Sequence, residues 1–173
     1  MWPIGGNVAT RINILAALCS AVSAGTWFLV VERVVSQWLP ERWMQRTAAG
    51  AAALLGATAF TVWNQSVVNE KVYTVSLAFF AIVSWLTVLW CDDPEGRTAD
   101  RLLVLIGFLI ALGYTNHPAG FLVAPAVGAA VLLRRPTTLL RWKLLLTIGF
   151  AFVLGLTPFL VEPIPAGHFA VIN

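Results

Sequence analysis

"ALGYTNHPAGFL", residues 111–122, places an amide, an imidazole and a proline between two apolar runs. The runs are Leu102–Tyr114 and Ala119–Leu133. Pro118 lacks a backbone N–H and disfavours helical geometry at the residue before it, so one continuous helix through this point is unfavourable. Asn and Pro also suit tight turns. The stretch therefore predicts a helical hairpin that turns at Thr115–Pro118.

The composition of the whole chain indicates a membrane protein. Of its 173 residues, 59% are hydrophobic and only 11% are charged, whereas a soluble domain is roughly half apolar and about a quarter charged. Too little polar surface remains to cover a water-facing globule, so the long apolar runs are interpreted as membrane spans. The eight Trp residues fit this interpretation, because indole rings favour the membrane–water interface.

Six membrane passes are predicted within one transmembrane domain, residues 1–173. Each should be a helix, because an open strand in lipid would leave backbone groups unpaired. Small residues in "AAGAAALLGATA" permit close approach between helices. The expected fold is therefore an all-α polytopic membrane helix bundle. Its predicted spans are about Ile12–Val31, Thr47–Trp63, Tyr73–Trp90, Thr98–Tyr114, Ala119–Leu133 and Leu144–Val161.

The first span has an alternative interpretation as a secretory signal peptide. "RINILAALCSAVSAG" combines Arg11 with a short apolar core and a small-residue end. The apolar run nevertheless continues through "TWFLVV" to Val31. That length matches the hydrocarbon core of a bilayer, so a retained span is preferred.

The distribution of Lys and Arg predicts the orientation. Nine of them lie in the loops after spans one, three and five, and only Arg11 and Lys71 lie on the other side. The positive-inside rule then makes those three loops cytoplasmic and both termini extracytoplasmic. If residues 98–133 formed one kinked pass, the bias would vanish, which favours the hairpin. The expected location is the bacterial cytoplasmic (inner) membrane.

Polar groups on the predicted extracytoplasmic side sit at the ends of apolar helices. Ionisable groups at membrane depth are costly and usually face a cavity or a partner, so Arg11, Glu70 and His117 are candidates to line one outward-facing pocket. Simpler interpretations stay open for each. Arg11 would snorkel to lipid phosphate, Glu70 would form an exposed pair with Lys71, and His117 would be a turn residue bonded to a nearby carbonyl.

Several function classes are disfavoured by absent patterns. The sequence has no basic run interleaved with aromatic residues, so nucleic-acid binding is disfavoured. The sequence has no CxxC motif or His/Cys cluster, so a metal site is not expected. It also has no Ser/His/Asp order and no phosphate-binding glycine loop, and no cofactor is expected. Without an inverted repeat or a matched pair of broken helices, a transporter or channel is also disfavoured.

Three stretches carry a resemblance to a known family. "GNVATRINILAAL", "WNQSVVNEKVYTVSLAF" and "LIALGYTNHPAGFLVAPA" resemble, in order and spacing, a bacterial membrane family similar to protein O-mannosyltransferases, of the GT-C glycosyltransferase class. The resemblance implies transfer of a sugar from a polyprenyl-phosphate carrier at the outer membrane face, with basic and amide groups holding the carrier phosphate. The family's site residues would correspond to Arg11, Asn13, Gln65, Glu70, Tyr73, Asn116 and His117.

The resemblance also has a departure. In the family, another span and a loop with the catalytic acid precede the "GNVATR" motif, and here Met1 lies six residues before Asn7. The expectation is a partial GT-C-like scaffold with a vestigial carrier pocket. It would act as a non-catalytic structural or accessory subunit of a larger membrane complex, with membrane subunits and lipids as partners. The alternative is part of an O-mannosyltransferase-like glycosyltransferase that uses a polyprenyl-phosphate-linked sugar.

Overall fold

The computed structural model describes residues 8–59 and 72–161, and every regular element in these two ranges is a helix. The predicted all-α fold is therefore confirmed for the described residues. Two 3₁₀ segments, Pro118–Val123 and Pro136–Leu140, join successive helices. The α-helices are α1 Val8–Val35, α2 Arg42–Thr58, α3 Val72–Asp92, α4 Ala99–Asn116, α5 Ala124–Arg134, α6 Trp142–Gly155 and α7 Pro158–Val161.

Three of these helices are long and apolar enough to cross a membrane. They contain the stretches Thr10–Val35, Tyr73–Asp92 and Ala99–Asn116, and two shorter apolar helical stretches are Pro118–Arg134 and Trp142–Gly155. These five correspond to predicted passes one, three, four, five and six. For predicted pass two, α2 begins earlier than expected and the last residues of the span lie outside the described ranges. The count of six passes stays a prediction.

The sixth predicted span differs from the structure. The sequence suggested one helix over Leu144–Val161, whereas α6 ends at Gly155 and α7 begins at Pro158. The amide of Leu156 donates to the carbonyls of both Phe152 and Val153, which tightens the end of α6. Pro158 then cannot donate to an α-helical carbonyl, because its ring nitrogen carries no hydrogen. The helix therefore ends within a continuous apolar run, because Pro158 lacks a backbone hydrogen-bond donor.

The chain divides into two compact units, residues 1–88 and 89–173. In the first unit, α1 packs on α2 and also contacts α3. The Ser23 hydroxyl donates to the Leu77 carbonyl over 3.4 Å, and the rings of Trp27 and Phe80 have centroids 6.1 Å apart. Ala49 of α2 is fully buried. The small side chains of α2 thus permit the close packing that the alanine-rich run predicted.

In the second unit, α4 packs tightly on α6 through small residues. The Ile148 side chain lies so close to Gly107 that an added Cβ there would sit 2.8 Å from it. On the other helix, an added Cβ at Gly155 would sit 2.6 Å from the Phe108 carbonyl oxygen and 2.7 Å from the Ala111 Cβ. The two backbones therefore approach at a distance that larger side chains would prevent.

Polar contacts join two loops at one end of the second unit. The Arg141 guanidinium donates to both carboxylate oxygens of Asp100, each over 2.5 Å. Arg135 donates to the Pro94 carbonyl over 2.8 Å and lies 3.7 Å from the Glu95 carboxylate. The start of α4 and the segment after α5 thus lie together. The chain must reverse at the far end of α4, as the predicted hairpin at Thr115–Pro118 requires.

Candidate functional site

The turn after α4 is closed by backbone hydrogen bonds on both sides of His117. The His117 backbone is extended, with φ −162° and ψ 138°. Its N–H donates to the Gly113 carbonyl over 3.1 Å, and its carbonyl accepts from the Gly120 N–H over 2.8 Å. Pro118 then opens the 3₁₀ segment, where its missing N–H costs nothing. The turn is therefore built by local geometry that the TNHP sequence favours.

The His117 imidazole caps this 3₁₀ segment. Its Nδ1 atom accepts a hydrogen bond from the Ala119 N–H over 3.1 Å. The turn role considered from sequence is present, but the partner of Nδ1 is a backbone amide rather than a carbonyl. Because Nδ1 accepts, a neutral imidazole here carries its proton on Nε2. The local fold thus selects the tautomer in which Nε2 is a hydrogen-bond donor.

Glycine at position 120 allows the turn to close on α4. Gly120 is buried, and an added Cβ would lie 2.6 Å from both the carbonyl carbon and oxygen of Gly113 and 3.0 Å from the Tyr114 nitrogen. All three are backbone atoms, which cannot rotate away. Gly113 and Gly120 lie seven residues apart on either side of the turn. This pair is the signal in the sequence that indicates close approach of the two backbone segments.

Aromatic side chains surround the same end of α4. The Tyr114 ring packs edge-on against Phe121 and Phe159, with centroids 6.1 and 5.9 Å away. Tyr114 and Phe121 flank the turn in sequence, so their contact follows from the hairpin. Phe159 belongs to α7 and is brought in by the chain break after α6, which the sequence did not predict.

The predicted site residues of the first unit lie on two helices. Arg11 is half-buried and Asn13 exposed near the start of α1, and Tyr73 is half-buried in the first turn of α3. Arg11 and Tyr73 both take part in polar or ring contacts.

The structure brings together Asn116 and His117 in the second unit, where both are half-buried and both have interaction partners. Gln65 and Glu70 lie outside the described residues. A single pocket formed by all seven predicted residues stays a prediction.

The charged end of the second unit lies far from this turn. Asp100 and Asn116 are separated by about 24 Å along α4 at a rise of about 1.5 Å per residue. The hydrogen bonds to Asp100 raise the pKa of the Arg141 guanidinium, since the loss of its proton would break them. In the part of the chain that the structure describes, no group of three His, Cys, Asp or Glu side chains could hold a metal ion. The turn after α4 and the charged end are therefore separate features.

Comparison with known proteins supports the resemblance to protein O-mannosyltransferases. The mouse protein named Protein O-mannosyl-transferase TMEM260 is 26% identical over 165 residues, which cover 92% of this chain. The chain spans 22% of the length of that relative. No solved structure matches the chain. Residues 1–140 match the family model described as the protein O-mannosyl-transferase TMEM260 N-terminal domain. That match covers well over half of the chain and includes the turn at His117, so this helical membrane protein belongs to the TMEM260 N-terminal domain family.

Proposed function

We propose that this chain is the carrier-binding membrane part of an O-mannosyltransferase-like glycosyltransferase. In this proposal, the turn formed by Thr115–Pro118 binds the phosphate of a polyprenyl-phosphate-linked sugar. Membership of the family supports the reaction class, because its description and the name of the mouse relative both specify protein O-mannosyl transfer. The sugar, the carrier and the acceptor belong to the proposal.

The observation that carries the proposal is the hydrogen bond from the Ala119 N–H to His117 Nδ1. It leaves Nε2 as the protonated nitrogen of a neutral imidazole, and an N–H donor suits a phosphate oxygen. Hydrogen bonds to a charged acceptor are worth about 1.5–3 kcal/mol, more than those between neutral groups. The backbone bonds at Gly113 and Gly120 fix the turn before any ligand arrives, so little ordering cost remains to be met on binding.

The surroundings of the turn suit a lipid-linked ligand. Asn116 places a side-chain amide next to His117, and amides can donate to phosphate oxygens. Tyr114, Phe121 and Phe159 form an aromatic cluster at the same end of α4. The amphipathic Tyr114 ring is favoured where a polar headgroup meets an apolar chain. By the Lys and Arg distribution, we place this end at the extracytoplasmic face.

In this proposal, the chain binds and orients the carrier. The acceptor hydroxyl must lose its proton to a general base, and the sugar–phosphate bond must break with the carrier phosphate as the leaving group. A hydrogen bond from His117 Nε2 would stabilise the negative charge that develops on that phosphate.

Replacing His117 by alanine is the direct test. We expect His117→Ala to weaken binding of polyprenyl phosphate by about 10- to 100-fold, which corresponds to the loss of one charge-assisted hydrogen bond. The full chain in zwitterionic nanodiscs would be titrated with polyprenyl phosphate, and bound lipid counted by native mass spectrometry.

The change Thr87→Val in α3 provides the matched control, because that hydroxyl lies outside the turn and donates to the Val83 carbonyl of its own helix. We expect it to bind the carrier as the unmodified protein does. Equal affinity of His117→Ala and the unmodified protein would contradict the proposal, as would equal losses in both variants.

A second proposal is the accessory-subunit role that the sequence first suggested. The short helices after the turn expose large apolar side chains, among them Leu133 at 84% and Leu140 at 81%. Such surfaces suit either lipid or neighbouring membrane subunits. Purification from native membranes in mild detergent distinguishes the two. A stoichiometric large complex, with activity unaffected by His117→Ala, would support an accessory subunit, and a lone monomer would contradict it.

A further inference from the structure

A groove runs between α4 and α6 on the second unit, at the opposite end from the His117 turn. We call it the α4–α6 groove, and its volume is about 640 Å³. Its lining includes Arg101, Leu105 and Phe108 from α4 and Lys143, Thr147 and Leu154 from α6. The first residue of each set is cationic, and the residues further along both helices are mostly apolar. The groove is therefore amphipathic along its length.

Two cations at the mouth of the groove are available to a ligand. Arg101 and Lys143 are both exposed, and no described carboxylate lies within ion-pair distance of either side chain. Arg141, which also lines the mouth, is already bound to Asp100 through two hydrogen bonds. That ion pair holds the helix starts together and leaves the other two charges without an acidic partner in the described part of the chain.

The exposed indole ring of Trp142 indicates that the mouth of the groove lies at the membrane–water interface. Trp142 is 63% exposed, and the Lys143 ammonium lies 5.7 Å from the centre of its ring. Exposed indole rings favour the interface between headgroups and hydrocarbon. From Lys143 to Leu154 the groove then extends about 16 Å along α6, at a rise of about 1.5 Å per residue, into the hydrocarbon region.

We propose that the α4–α6 groove binds one anionic glycerophospholipid. Its headgroup phosphate would lie between the Arg101 guanidinium and the Lys143 ammonium, and an acyl chain would lie along Leu105, Phe108 and Leu154. A free phosphate ion would leave the apolar part of the groove unused, and a zwitterionic lipid would leave the two cations without a net negative partner. Charge and shape together therefore select a negatively charged lipid.

The position of the groove separates it from the carrier site. It lies at the arginine-rich end of α4, which the Lys and Arg distribution places at the cytoplasmic face. Anionic lipids are found in that leaflet and are attracted by basic residues at its surface. The His117 turn lies at the other end of the same helix. This inference therefore does not depend on the proposed glycosyl transfer, and a groove that retained no anionic lipid would leave that proposal intact.

The test removes the two charges and counts the lipid that is retained. The full chain would be extracted from vesicles containing equal amounts of phosphatidylglycerol and phosphatidylcholine and analysed by native mass spectrometry. We expect one retained phosphatidylglycerol. In the double variant Arg101→Gln and Lys143→Gln, its affinity should fall by about 30-fold, from about 1 kcal/mol for each basic residue. The control double variant Arg42→Gln and Arg97→Gln loses two exposed charges outside the groove and should retain the lipid.

A second variant tests the apolar part of the groove with all charges kept. Thr147→Trp places an indole in the groove from an exposed position, and we expect it to displace the bound lipid. Three results would overturn the proposal: no preference for phosphatidylglycerol over phosphatidylcholine, equal losses in the groove and control double variants, or displacement of the lipid by an equimolar amount of polyprenyl phosphate. The last result would assign the groove to the carrier.

Discussion

Replacing Gly155 by alanine is expected to lower the free energy of unfolding by about 3 kcal/mol, at the upper end of the usual cost of overpacking. An added Cβ would sit 2.6 Å from the Phe108 carbonyl oxygen, 2.7 Å from the Ala111 Cβ and 3.1 Å from the Leu112 nitrogen. Two of these three atoms belong to the backbone of α4, so no side-chain rotation relieves the overlap. The helices α4 and α6 must move apart.

Thermal unfolding of the purified chain in detergent measures this effect. We expect the melting temperature of Gly155→Ala to fall by roughly 6–12 °C. Gly149→Ala is the matched control in the same helix, because nothing lies within 4 Å of its added Cβ. That change should leave the melting temperature unchanged or slightly higher, since alanine favours helix over glycine. Equal effects of the two substitutions would contradict the close packing of α4 on α6.

Replacing Gly120 by alanine is expected to disrupt the turn that holds His117. The added Cβ would overlap the Gly113 carbonyl group at 2.6 Å, and that same carbonyl accepts the His117 N–H. The overlap would push the 3₁₀ segment away from α4, weaken this bond and move the imidazole. The free energy of unfolding should fall by about 2–3 kcal/mol. Binding of polyprenyl phosphate should be lost even where the protein stays folded.

The control for this change is Gly128→Ala in α5, whose added Cβ has no neighbour within 4 Å. It should leave both the melting temperature and carrier binding unaltered. Both quantities would be measured on the same nanodisc preparations, below the melting temperature of every variant. If Gly120→Ala bound the carrier with unaltered affinity, the turn geometry would not determine the site.

Much of the helical fold follows from local sequence. Long apolar runs without charges predict α1, α3 and α4, and Pro118 predicts the position of the chain reversal. The break between α6 and α7 was not predicted, because the sequence remains apolar through Leu156 and its hydrophobicity does not change at the break. Pro158 was the available sign, and its missing N–H has the same effect here as that of Pro118 at the hairpin.

The candidate site was predictable only where its parts are close in sequence. Asn116 and His117 were identified from the motif, and the structure places both on one turn. The Ala119 amide as the partner of Nδ1 depends on the exact backbone path, which no residue pattern specifies. The Phe159 contact and the α4–α6 groove join residues about forty apart or more, so they arise only once the helices have packed. Arg101 and Lys143 were assigned from sequence only to cytoplasmic loops.

The central claim is that the His117 turn holds the phosphate of a polyprenyl carrier. The most direct test is photo-crosslinking of the full chain in nanodiscs, with a polyprenyl phosphate analogue that carries its photoreactive group next to the phosphate. Mass spectrometry of the digested protein would locate the label. We predict labelling within residues 111–122 that disappears with an excess of unlabelled polyprenyl phosphate. Labelling of the α4–α6 groove instead, or scattered labelling that competitor does not reduce, would contradict the claim.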